Sequence, residues 1–109
     1  GEQIINEDFF LESKTTSQSI NPAYGYLWWL NGKSSYMLPS TQTEFTGSLI
    51  PNAPTDMVAA LGKDEQRIYI VPSKNLVIIR MGEATVSEDN FALSSFDNVF
   101  WEKLSEVIN

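Results

Sequence analysis

The segment "LGKDEQR", Leu61 to Arg67, sets a lysine and two carboxylates, Lys63, Asp64 and Glu65, side by side between apolar stretches. Neighbouring carboxylates can divide acid and base roles when their surroundings push their pKa values apart. On a polar lead-in to a strand, however, Asp64 and Glu65 are both expected to be solvated. The same holds for Glu83, Glu88 and Asp89, which follow the last apolar run. What the chain lacks narrows the chemistry further. Its 109 residues include no cysteine and no histidine. A Ser-His-Asp relay, a Cys nucleophile, a thiolate or imidazole metal site and a thiol redox pair are therefore excluded within it. Carboxylate-only metal binding stays open in principle, but no residue set points to a metal, and no cofactor is expected.

The elements that would position these groups follow from composition and pattern. At 42% hydrophobic residues the chain has the composition of one small globular domain. Its net charge of -7 argues against a nucleic-acid partner. No run approaches the ~20 apolar residues that would span a bilayer, so no membrane span is expected. Near the start, Asn6 followed by Glu7 and Asp8 predicts a short capped helix. "YGYLWWL", Tyr24 to Leu30, reads as a strand ended by the Asn31-Gly32 turn signal. From Lys33 to Asp56 the pattern is irregular, broken by Pro39, Pro51 and Pro54, and predicts a long loop with at most short extended pieces around Tyr36 to Leu38 and Ser48 to Ile50. A hairpin follows, Gln66–Val71 and Leu76–Met81, joined by "PSKN", where Pro72 presets the turn and Asn75 tolerates a left-handed conformation. "FDNVFWEKLSEVIN" predicts a closing helix capped by Asp97, with Phe100, Trp101, Leu104, Val107 and Ile108 on one stripe.

The fold class expected from these elements is α+β: an antiparallel sheet of about three main strands, a C-terminal helix and a short N-terminal helix. The strands are apolar on both faces, the pattern of a sheet buried between two layers. The helices in hand suffice for about one face. Either the chain self-associates through the sheet, or residues 1–109 form a single unit, the C-terminal fragment of a larger domain whose upstream part covers the other face.

"YGYLWWLNG", the "LGKDEQRIYIVPSKNLVIIRMGE" hairpin and "FDNVFWEKL" resemble, in order, the C-terminal portion of the serine β-lactamase-related family. That family includes class C β-lactamases and penicillin-binding-protein-like esterases. The resemblance implies a β-lactamase/transpeptidase-like fold, acyl-enzyme hydrolysis of an amide or ester, and export to the periplasm or cell envelope. It further implies three motifs: Ser-x-x-Lys carrying the nucleophile, Tyr-x-Asn or Ser-x-Asn, and a Lys-Thr-Gly-like strand. The chain contains no Ser-x-x-Lys and no Tyr-x-Asn. Ser19-Ile20-Asn21 and Ser73-Lys74-Asn75 fit the second pattern formally, but both fall in turns and read as chance tripeptides. The third motif maps to Ala60, Leu61, Gly62 and Lys63, in one of two registers. One puts Gly62 on the motif's glycine and the other puts Lys63 on its lysine, and the sequence departs from the pattern in both. In the family this strand edge supplies an oxyanion-hole N–H and a group that orients substrate.

The chain alone is accordingly expected to be inactive, its nucleophile lying outside it. The competing expectation is a free-standing acidic module that binds or inhibits a protein through its exposed sheet face. Trp28 and Trp29 point to opposite sides of any strand, so at most one could line a substrate pocket, and both read first as core.

Overall fold

The computed structural model describes residues 1–85 and 92–108. Its elements are helix α1 (Glu7–Ser13), strands β1 (Trp29–Leu30), β2 (Ser35–Met37), β3 (Glu44–Thr46), β4 (Val58–Leu61), β5 (Arg67–Val71) and β6 (Leu76–Arg80), and helix α2 (Ser95–Ser105). The fold is α+β, with a four-stranded antiparallel sheet in the order β1-β4-β5-β6 and a two-stranded sheet of β2 and β3. No helix among the described residues is long and apolar enough to cross a membrane.

The β5–β6 hairpin forms as its turn residues demand. Pro72 opens a single 3-10 turn, and Asn75 closes it at φ 49°, in the left-handed region. Pairing runs from Arg67↔Arg80 to Val71↔Leu76. β4, not foreseen as a separate strand, joins on the other side through pairs from Val58↔Ile70 to Leu61↔Arg67.

These registers sort the sheet into two unequal faces. Trp29, Ala59, Tyr69, Val71 and Ile78 share the face that α2 covers. There Tyr69 stacks on Phe100 at 5.8 Å between ring centroids and meets Trp101 edge-on at 5.5 Å. The opposite face carries Leu30, Val58, Ala60, Ile68, Ile70, Val77 and Ile79. Leu30 and Val58 are buried at its β1 end, beside α1. Ile68 and Ile70 are half-buried, while Val77 and Ile79 are 59% and 64% exposed. One layer of helix therefore shields one face, while the other is covered at its β1 end and open along β6.

Three sequence expectations are corrected. "YGYLWWL" is not a continuous strand. Gly25 N–H donates to Trp28 O at 2.9 Å, and Leu27, at φ 63°, is 82% exposed, so only Trp29 and Leu30 enter the sheet. The segment bends because it must admit the end of α1. Tyr26 N–H donates to Ser13 O at 3.0 Å, and any side chain at Gly25 would collide with the Ser13 and Thr15 carbonyls. Second, the stretch from Lys33 to Asp56 is not loop throughout. It contains the β2–β3 hairpin, with Tyr36 stacked on Phe45, and buries Leu49, Ile50 and Ala53 in the core. Third, α2 is capped by Ser94, not by Asp97. Asp97 lies a turn further on, its carboxylate accepting the Ser94 backbone N–H at 3.0 Å, and the stripe ends earlier than expected, Val107 being exposed.

Candidate functional site

Ala60, Leu61, Gly62 and Lys63 lie together where β4 runs past its neighbour. β1 pairs only with Val58 and Ala59, so no described strand lies beside Ala60 and Leu61 on that side. Gly62 N–H is turned inward, donating to Gln66 O at 2.8 Å. By the alternation of an antiparallel ladder, the Leu61 N–H is the one directed toward the open side. Lys63 extends into solvent, its side chain 88% exposed and its Nζ 3.9 Å from the Asp64 carboxylate. An ion pair that exposed leaves the ammonium free to move.

The turn that carries Lys63 is strained and firmly held. Asp64 and Glu65 are both left-handed, at φ 54° and 59°, a conformation that costs a non-glycine residue roughly 1–2 kcal/mol. Glu65 is not solvated as expected but only 4% exposed. Its Oε2 accepts from Thr85 N–H and Thr85 Oγ1, each at 2.8 Å, and its Oε1 from Ser94 Oγ at 3.2 Å. Arg80 Nη2 stands 3.6 Å away. The Gln66 side chain bridges to Gly82, donating to its carbonyl and accepting its N–H. Arg67 Nη1 donates to Gly62 O at 2.7 Å. The strain persists because side chains from three neighbouring segments hold it in place.

Beneath the turn lies a fully buried polar cluster. Arg67 grips Asp97 with two parallel bonds, Nε to Oδ1 at 2.6 Å and Nη2 to Oδ2 at 3.0 Å. The Tyr69 hydroxyl donates to Asp97 Oδ1 at 2.5 Å. Burial works against the Arg67 charge, but the hydrogen bond and charge of Asp97 outweigh it, and the guanidinium pKa is raised. Burial, then the charge and hydrogen bond of Asp97, push the Tyr69 phenol well above its ordinary value, with Arg67 pulling the other way. The cluster thus stays an ion pair with a neutral phenol, joining the root of the strained turn to the start of α2.

Other candidates have structural work. The Asn21 amide donates to Met37 O at 3.0 Å and its oxygen accepts from Met37 N–H, fastening the first loop to β2. Ser73 is bound through its N–H and hydroxyl to Asp56, at 2.7 and 2.9 Å. Trp29 is core, T-shaped against Tyr24, and Trp28 is half-buried in the bend. Asp64 and Glu83 are exposed, and Glu88 and Asp89 lie outside the described residues. Among the described residues no group of carboxylates is gathered to hold a metal. An apolar cleft of about 320 Å³, lined by Tyr24, Trp29, Met37 and Leu38 among others, opens on the β1 side.

Against protein-family models, curated proteins and solved structures, the chain finds no match. Geometry and residue chemistry therefore carry the functional reading.

Sequence reasoning missed the buried Glu65 and, as one unit, Arg67, Tyr69 and Asp97. A signal was present: Arg67, Tyr69 and Val71 alternate onto one face of an apolar strand, and an arginine on a core face requires a buried anion.

Proposed function

We propose that this chain is the C-terminal part of a β-lactamase-like serine hydrolase, which cleaves an amide or ester through an acyl-enzyme. The observation that carries this reading is the apolar face of Ile68, Ile70, Val77 and Ile79, half-buried on β5 and exposed on β6, on whose outer side no described strand pairs. A sheet apolar on both faces but layered on one calls for a further layer, which upstream residues of such a hydrolase would supply. The family resemblance of the surrounding strands supports the same reading, although Ala60 to Lys63 themselves depart from the Lys-Thr-Gly motif. In it the β4 end presents the Leu61 backbone N–H to the developing oxyanion, Lys63 orients the substrate or its proton network, and the Glu65 and Arg67 clusters keep the turn rigid.

The decisive test is the coding sequence upstream of Glu2. Ser-x-x-Lys and Tyr-x-Asn in the same reading frame would support the reading, and their absence would overturn it. The purified chain should turn over neither nitrocefin nor p-nitrophenyl esters, and turnover abolished by one substitution within it would contradict the proposed division of the site. The second reading, a protein-binding or inhibitor module, draws on the same exposed face and would be favoured by a stable monomer.

A further inference from the structure

A cleft on the far side of the sheet from α2 has a different chemistry. It measures about 320 Å³ and is walled by Leu11 of α1 and Lys14 at its C-terminal cap, by Leu30 and Val58 of the sheet, and by Lys33 and Thr55 of the neighbouring loops. Leu30 and Val58 are buried, so the floor is apolar. Both lysines are half-buried. Neither forms an ion pair among the described residues. Lys14 lies over the Phe10 ring, 4.2 Å from its centroid, which leaves its charge without an anion. One carboxylate, Asp56, also lines the cleft; its oxygens accept from Ser73, which leaves its charge in place, so two cations face one anion there.

An ammonium with no anion partner attracts one, the more so beside an apolar wall that lowers the local dielectric. Two such groups above an apolar floor, in a protein of net charge -7, make a local exception in sign that fits one class of ligand. We propose that this cleft binds a small organic carboxylate with a short hydrocarbon chain, the carboxylate between Lys14 and Lys33 and the chain against Leu11, Leu30 and Val58. The volume sits at the low end of the roughly 300–1,000 Å³ typical of ligand pockets, so the ligand is small. The site does not depend on the hydrolase reading, since it uses none of Ala60 to Lys63.

The test is an amide NMR titration of the full chain with octanoate, alongside octanol as the neutral probe and acetate as the chainless one. Saturable octanoate shifts at Lys14, Thr15, Asn31 and Thr55, with both controls weaker, are expected. Lys33→Gln and Lys14→Gln should each weaken octanoate about fivefold, the worth of one partly exposed charge pair, while leaving the remaining amide spectrum intact. Octanol binding as tightly as octanoate would overturn the proposal. So would shifts centred on Val77 and Ile79, an absence of saturation, or lysine variants that bind unchanged.

Discussion

Asp97 accepts hydrogen bonds from Arg67, Tyr69 and the Ser94 backbone while fully buried, so its charge is supported from three directions. Removing one partner leaves the other charge buried and uncompensated. Arg67→Met should therefore destabilise the fold by about 3–5 kcal/mol, the usual cost of breaking a buried pair, measured from urea midpoints. Adding Asp97→Leu to Arg67→Met should recover part of that loss, as no orphaned carboxylate would remain. Tyr69 gives a separate signature. Its folded pKa is raised, so above about pH 10 the unfolded chain has lost a proton that the folded chain keeps. Its contribution is full below that pH and declines as pH rises, at about 1.4 kcal/mol per unit. Tyr69→Phe should flatten the alkaline fall in stability, and an unchanged slope between pH 10 and 11 would contradict the assignment. None of this was readable residue by residue, because Arg67 and Asp97 lie 30 positions apart and each has an ordinary local role, strand start or helix cap.

Among the elements, legibility followed the range of the interactions that make them. The β5–β6 hairpin was readable because Pro72 and Asn75 set its turn from within, and α1 because the Asn6 side chain accepts Phe9 N–H at 3.0 Å three residues on. The region between Lys33 and Asp56 was not, since much of its order comes from side chains distant in sequence, Asn31 above all. The Asn31 amide donates to the carbonyls of Ile50, Ala53 and Pro54 and accepts Ile50 N–H, spanning 19 to 23 residues. From sequence, Asn31-Gly32 signalled only a turn, which it also is, Gly32 having φ 69°. Asn31→Ala would take the Asn31 bond from Ala53 O and Ile50 N–H, whereas Ile50 O and Pro54 O keep Ala53 N–H and Met57 N–H, and should cost about 2–3 kcal/mol, on the scale of one or two unmet hydrogen bonds. Hydrogen exchange should show the loss concentrated at Ile50 and Ala53 and sparing the hairpin. Uniform loss across the sheet would mean that the loop is no separate unit. "YGYLWWL" failed for a related reason: strand propensity describes a half-buried pleated surface, and the approach of Ser13 to Gly25 overrode it.

For the molecule as a whole, the uneven cover of the sheet decides how it behaves in solution. The part of the less covered face formed by β4, β5 and β6, about 4.8 Å apart and up to five residues long at about 3.3 Å each, measures roughly 240 Å², far below the ~800 Å² per partner of a standard stable interface. Two copies meeting through this face alone would associate weakly, whereas a helical layer could cover it as α2 covers the other. The expected outcome is a weight-average mass in sedimentation equilibrium that climbs gradually with concentration and shows no plateau at a defined dimer. The double variant Val77→Lys/Ile79→Lys should abolish that climb. Because both side chains already face water, it should shift stability by no more than about 0.5 kcal/mol per site, the usual range for exposed positions. If the unaltered chain instead stays monomeric at several hundred micromolar, with sharp amide spectra, then a face this apolar is tolerated in isolation, and the protein-binding module becomes the better account of why Ile68, Ile70, Val77 and Ile79 are there.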